Sequence, residues 1–94
     1  MTNHDLKLND KYFDDVVLGF KTFEVRKNDR DYKVGDTLTL HRVDDNGCYM
    51  EKAYKGWTKL FVEVTYILTH EDFPAGVPEG YVVMSIKVPE VVDE

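Results

Sequence analysis

The chain has 94 residues, with twelve basic and eighteen acidic side chains and a net charge of −6. A chain this short makes one domain that buries only about 60–65% of its unfolded surface. The acidic balance argues against indiscriminate attraction to phosphates, the single Cys48 excludes an internal disulfide, and no apolar run approaches the ~20 residues needed to cross a bilayer.

The start, Met1 to Asp5, is polar and lacks the apolar core of a signal peptide, so a cytoplasmic location is expected, away from membranes. Leu6-Lys7-Leu8 reads as a first strand that ends at Asn9, a good helix N-cap. A helix is then predicted from the i, i+4 recurrence of Tyr12, Phe13, Val16 and Val17, with Phe20 on the same face. Asp10 suits its N-terminus, and Gly19 is placed to end it in the left-handed conformation.

Strands dominate from there on. The second is predicted over Thr22 to Arg26 and the third over Thr37 to Val43, with Leu38 and Leu40 on one face and Thr37, Thr39 and His41 on the other. Asp44-Asp45-Asn46-Gly47 is a hairpin signal, because Asn-Gly accepts the positive φ angles of a tight turn, and a fourth strand is expected to begin near Tyr49. The longest strand, Leu60 to Thr69, is predicted to bury Leu60, Val62, Val64, Tyr66 and Leu68. Residues 70 to 80 contain two prolines and two glycines and read as a loop. Val82, Met84 and Ile86 bury the last strand, Pro89 stops it, and an acidic tail follows from about residue 89. With twelve aromatic residues to fill it, the fold class expected is mostly β (α+β): a small barrel of about five to six strands with one helix after the first strand, spanning residues 1–94 as a single domain.

Charge is unevenly spread. Between Lys21 and Lys33 there are five basic and three acidic residues, a local balance of +2 on an otherwise acidic chain. Thr22, Glu24 and Arg26 share one side of the extended chain, and the loop after them carries Lys27, Arg30 and Lys33. Glu24 and Arg26 suit a recognition pair, the guanidinium forking onto phosphate or a base edge while the carboxylate accepts from an amino group. The same two residues suit an ion pair that orders the loop. A second segment, Tyr49 to Lys59, interleaves three aromatics with lysines, and Trp57 beside Gly56 is its candidate stacking residue.

The run Gly19 to Asp36, GFKTFEVRKNDRDYKVGD, resembles the signature of the small phage and bacterial family DUF3850, part of the ASCH group of PUA-like β-barrels with the wider motif GxKxxExR. His4 to Leu8, Tyr12-Phe13, Val64 to Leu68 and Gly80 to Ile86 occur in the order the family uses. One departure is Tyr54-Lys55-Gly56-Trp57, where the family has a Tyr-Thr-Gly-Arg-like turn. The resemblance implies a PUA-like fold and an RNA or nucleoside ligand. The charge and aromatic patterns single out Lys21, Glu24, Arg26, Lys27, Arg30, Lys33 and Trp57 as the residues to hold an RNA or a modified nucleoside.

Two other readings stay open. In amidohydrolases of the wider group an active lysine works with a threonine three positions on and a later acid. Lys21 matches the lysine, Glu24 stands at the threonine position, and Glu71 or Asp72 is the candidate third partner of a catalytic set. The alternative to both is a phage-type accessory protein that binds a protein partner through its acidic surface. His4, His41, His70 and Cys48 are scattered without zinc-site spacing, so neither metal nor cofactor is expected, and His4 reads as a surface histidine or, as the family's recurring start implies, as one that helps shape a pocket.

Overall fold

The computed structural model describes residues 1–50 and 58–89. It is mostly β. The elements are β1 (Asn3–Asn9), α1 (Asp10–Val17), β2 (Phe23–Lys27), β3 (Thr37–Val43), β4 (Lys59–Thr69) and β5 (Tyr81–Lys87). The five strands form one curled half-barrel sheet in the order β1-β3-β4-β5-β2, with β1 and β3 parallel and every other pair antiparallel. Among the described residues β1 and β2 are therefore its two edges.

The helix is delimited by local chemistry at both ends. The Asn9 side chain accepts from the Lys11 N–H at 2.9 Å, satisfying one of the donors that the first turn leaves unpaired. At the other end Gly19 takes φ +81°, the Gly19 N–H donates to the Val16 carbonyl, and the Phe20 N–H donates to that of Asp15. These two bonds are the Schellman closure, which needs a left-handed residue where Gly19 stands. The helix thus stops before Phe20, which is 80% exposed and takes no part in the buried face expected of it. Phe13 and Val16 carry that face, while Tyr12 lies on its exposed flank.

Arg42 fastens α1 to the sheet. Its guanidinium is buried, bonds Asp10 at 2.5 Å and Asp14 at 3.2 Å, and lies 4.8 Å from the centre of the Phe13 ring. Around Phe13 and Val16 the core is built from the inner faces of β1 (Leu6, Leu8), β3 (Leu38, Leu40), β4 (Val62, Val64) and β5 (Val82, Met84, Ile86).

Three expectations are corrected. Tyr66 is 59% exposed and Leu68 only half-buried, because the register of β4 against β5 slips from Val64↔Ile86 to Tyr66↔Ser85. This bulge at Thr65 reverses which side chains face inward, so Ile67, not Tyr66, continues the packing against the core. The Asn46-Gly47 turn has a positive φ only at Gly47. The Gly47 N–H donates to the Asp44 carbonyl and the Asp44 N–H to that of Cys48, the pattern of a three-residue loop with a glycine bulge. Beyond it, the strand expected near Tyr49 is a single bridge, Val43↔Tyr49, among the described residues, so the sheet has five strands. The acidic tail from residue 90 lies outside the described residues.

His4 is also not a surface residue. It is 8% exposed, as the alternation His4, Leu6, Leu8 along β1 requires. One ring nitrogen lies 2.8 Å from Asp36 Oδ2, and the ring meets Tyr32 edge-on at 4.8 Å. Asp36 also accepts from the backbone N–H groups of Thr2 and Lys33. It therefore joins the start of β1 to the loop between β2 and β3.

The hydrogen bond from His4, aided by the two backbone donors, lowers the Asp36 pKa from 3.8 to about 2. A carboxylate whose folded pKa is depressed contributes stability that is fully present above its unfolded value and is lost as pH falls through the folded one. Thermal melts should accordingly show a loss of stability between about pH 4 and pH 2. Asp36→Asn should remove that portion of the acid dependence, and an unchanged acid limb in the variant would contradict the assignment.

Candidate functional site

The two edges of the sheet approach one another where β2 passes β1. The bonds from the Ile86 N–H to the Thr22 carbonyl and from the Asn28 N–H to the Gly80 carbonyl place the even-numbered residues of this stretch in hydrogen-bonded pairs with β5. Antiparallel geometry then turns the N–H and C=O groups of Phe23, Val25 and Lys27 away from β5, toward the seam. Arg26 crosses the gap, donating from Nη2 to the Lys7 carbonyl of β1 at 2.8 Å.

Glu24 organises this seam. It is 2% exposed and lies on the inner face of β2. Its Oε2 is ion-paired with Lys21 Nζ, and its Oε1 accepts from Arg26 Nη2 at 2.6 Å and Nε at 3.0 Å. Two cations share one carboxylate, so the cluster keeps a net positive charge. Lys21 also donates to the Phe23 carbonyl at 2.6 Å. Its ammonium lies 4.9 Å from the Phe23 ring centre and 5.6 Å from that of Tyr12, within cation–π range of both.

This cluster lines a cleft of about 540 Å³ bounded by Lys7, Leu8, Tyr12, Lys21, Phe23, Glu24, Val25 and Arg26. A second cavity of about 340 Å³ adjoins it, lined by Asp5, Leu6, Lys7, Arg26, Lys27, Asp29, Arg30, Tyr32 and Tyr49. Lys7 and Arg26 line both, so the two cavities meet at that pair and together make up the groove along the seam. Four cations face two carboxylates in the second part, and Asp5 is already engaged by His41 at 2.8 Å. Lys27 and Arg30 are exposed and make no ion pair with the described residues. Burial pushes the Tyr32 phenol in the wall of this cavity above its ordinary pKa.

The fold brings Lys21, Glu24, Arg26, Lys27 and Arg30 to one groove. Lys33 does not line it; its ammonium lies 3.3 Å from Asp31, and its N–H serves Asp36. Glu71 and Asp72 lie in the turn after β4, outside both cavities, and Asp72 accepts from the Thr69 N–H and hydroxyl at 3.0 and 3.1 Å. Trp57 lies outside the described residues. Among the described residues no group of three or more His, Cys, Asp or Glu side chains could hold a metal ion. No helix there is long and apolar enough to cross a membrane.

Sequence reasoning did not find Lys7 or Tyr12 as groove residues, and it had Tyr49 only as one aromatic of the 49–59 segment, with a place in the core as the alternative. Lys7 comes to the site only through the meeting of β1 and β2, which no local pattern encodes. Tyr12 had a usable signal: it directly precedes Phe13, and only one of the two can sit at the centre of the buried stripe.

Fold and site together define a small half-barrel β protein with a cationic groove between its sheet edges. The chain belongs to the family described as "Domain of unknown function (DUF3850)", whose model matches residues 3–86. Over 38 residues, 40% of the chain, it is 58% identical to the "Uncharacterized 12.9 kDa protein in GpA 3'region" of Escherichia phage P2, and this match spans 35% of that relative's length.

Proposed function

We propose that the seam groove binds single-stranded RNA or a modified nucleoside, on a half-barrel of the PUA-like, ASCH type in a cytoplasmic protein. The observation that carries this reading is the joining of two unlike cavities through Lys7 and Arg26: an aromatic end at Tyr12 and Phe23, and a cationic end at Lys27 and Arg30. Aromatic faces accept bases, and adjoining cations accept phosphates. Glu24 serves here by orienting Lys21 and Arg26 as donors, not as the group that reads a base, because both its oxygens already hold cations.

Binding is favoured over turnover. An ammonium that donates to the Glu24 carboxylate and the Phe23 carbonyl offers no lone pair to take a proton. Against amidohydrolysis also counts the position of Glu71 and Asp72, the acids offered as a third partner, in the turn after β4 and outside both cavities.

Titration of a fluorescent single-stranded RNA at several salt concentrations tests the reading. Binding should weaken with salt, and Lys27→Ala or Arg30→Ala should each lower both the affinity and the magnitude of the logarithmic salt slope, the latter by about 0.7 per lost phosphate contact. Absence of RNA binding at low salt would remove the RNA reading, and absence of nucleoside binding as well would leave the protein-partner reading, for which the exposed Phe61, Tyr66 and Phe73 provide surface.

A further inference from the structure

We infer that the groove takes a strand of at least two nucleotides, with bases held apart at its two ends and the linking phosphate over Arg26 and Lys7. This rests on the nucleic-acid reading above and decides between its two occupants, an RNA strand and a free nucleoside. The carrying observation is that the groove has an aromatic platform at each end.

At one end stand Tyr12 and Phe23, 40% and 47% exposed, both within cation–π range of the Lys21 ammonium. At the other stands Tyr49, 60% exposed. Tyr49 is held for contact: the bridge to Val43 fixes its backbone, His41 meets its ring edge-on at 5.7 Å, and Lys7 Nζ lies 5.1 Å from its centre. The Lys7 ammonium is itself anchored on the Gly47 carbonyl at 3.1 Å. An exposed ring braced in this way loses little freedom when a base stacks on it.

The two platforms line different cavities, Tyr12 and Phe23 the first and Tyr49 the second, with Lys7 and Arg26 common to both. A single base stacked on Phe23 occupies the first cavity alone, whereas a splayed dinucleotide has a second base to offer Tyr49. Its phosphodiester then crosses the cations shared by the two cavities. Splayed, unstacked bases on aromatic side chains are how single strands are commonly held.

The test compares uridine monophosphate with the dinucleotide UpU by calorimetric or fluorescence titration against wild type, Tyr49→Ala and Phe23→Ala. Both replaced residues are exposed, and melting curves confirm that the variants are folded. The dinucleotide should bind at least about tenfold more tightly than the mononucleotide. Tyr49→Ala should weaken the dinucleotide by about fivefold or more and the mononucleotide by much less, and Phe23→Ala should weaken both. Equal affinity for the two ligands, or a dinucleotide affinity indifferent to Tyr49→Ala, overturns the two-base inference and leaves the one-nucleotide form of the proposed function standing. Binding of neither ligand overturns both.

Discussion

Phe13→Ala should cost about 3–5 kcal/mol of folding stability, a large share of the roughly 5–15 kcal/mol that holds a domain together. Phe13 is fully buried where α1 meets the sheet and forms the surface against which the Arg42 guanidinium lies. Its removal leaves a cavity in a core too small to close around it, and loosens the residue that ties Asp10 and Asp14 to β3. Tyr66→Ala is the matched comparison: another aromatic truncation, but at a side chain the β4 bulge turns outward, with an expected cost within about 1 kcal/mol. Chemical denaturation measures both. Equal losses would mean that β4 keeps its register through Thr65 and that Tyr66 belongs to the core.

Glu24→Gln should be the most damaging conservative change in the groove. Removing one member of a buried ion pair strands its partner in low dielectric, at about 3–5 kcal/mol when the partner cannot escape. Here Lys21 and Arg26 keep 17% and 22% side-chain exposure and can turn partly to water, so about 2–3 kcal/mol is expected. For a domain of this size that is a fall of roughly 10–20 °C in melting temperature. The amide also presents an NH2 to one of the two cations, so Arg26 and Lys21 lose their fixed directions and RNA affinity should fall with stability. A variant that melts like wild type would show that the two cations are positioned without Glu24.

The parts of the fold legible in the sequence are those fixed by nearest neighbours. The Asn9 cap, the Gly19 closure and the span of β3 each follow from a residue and the few beside it. The burial of Val82, Met84 and Ile86 follows from strict alternation. What was not legible depends on partners distant in the chain. Alternation in β4 continues unbroken through Tyr66 on paper. Only the pairing with β5, together with the backbone bonds that Val64 makes to Gly35 and Asp36, introduces the bulge that reverses it. The groove divides in the same way. Lys21, Glu24 and Arg26 come together because their spacing on one short segment forces it, but Lys7 joins them through the Arg26 bond across the seam, Tyr12 from α1, and Tyr49 through its bridge to Val43. His4 is a different case, since its place in the pattern His4, Leu6, Leu8 already put it on the inner face. A polar residue there required a buried partner, which Asp36 supplies from 32 positions away.

The central claim, that the seam between β1 and β2 is where a single strand of RNA binds, is tested most directly by following the backbone amide resonances of the 15N-labelled protein as a short oligouridine is added. The account predicts that the shifts concentrate at Lys7, Tyr12, Tyr49 and along Lys21 to Arg30. Shifts confined to the exposed face around Tyr66 and Tyr81, or a spectrum that does not respond to RNA at low salt, would contradict it.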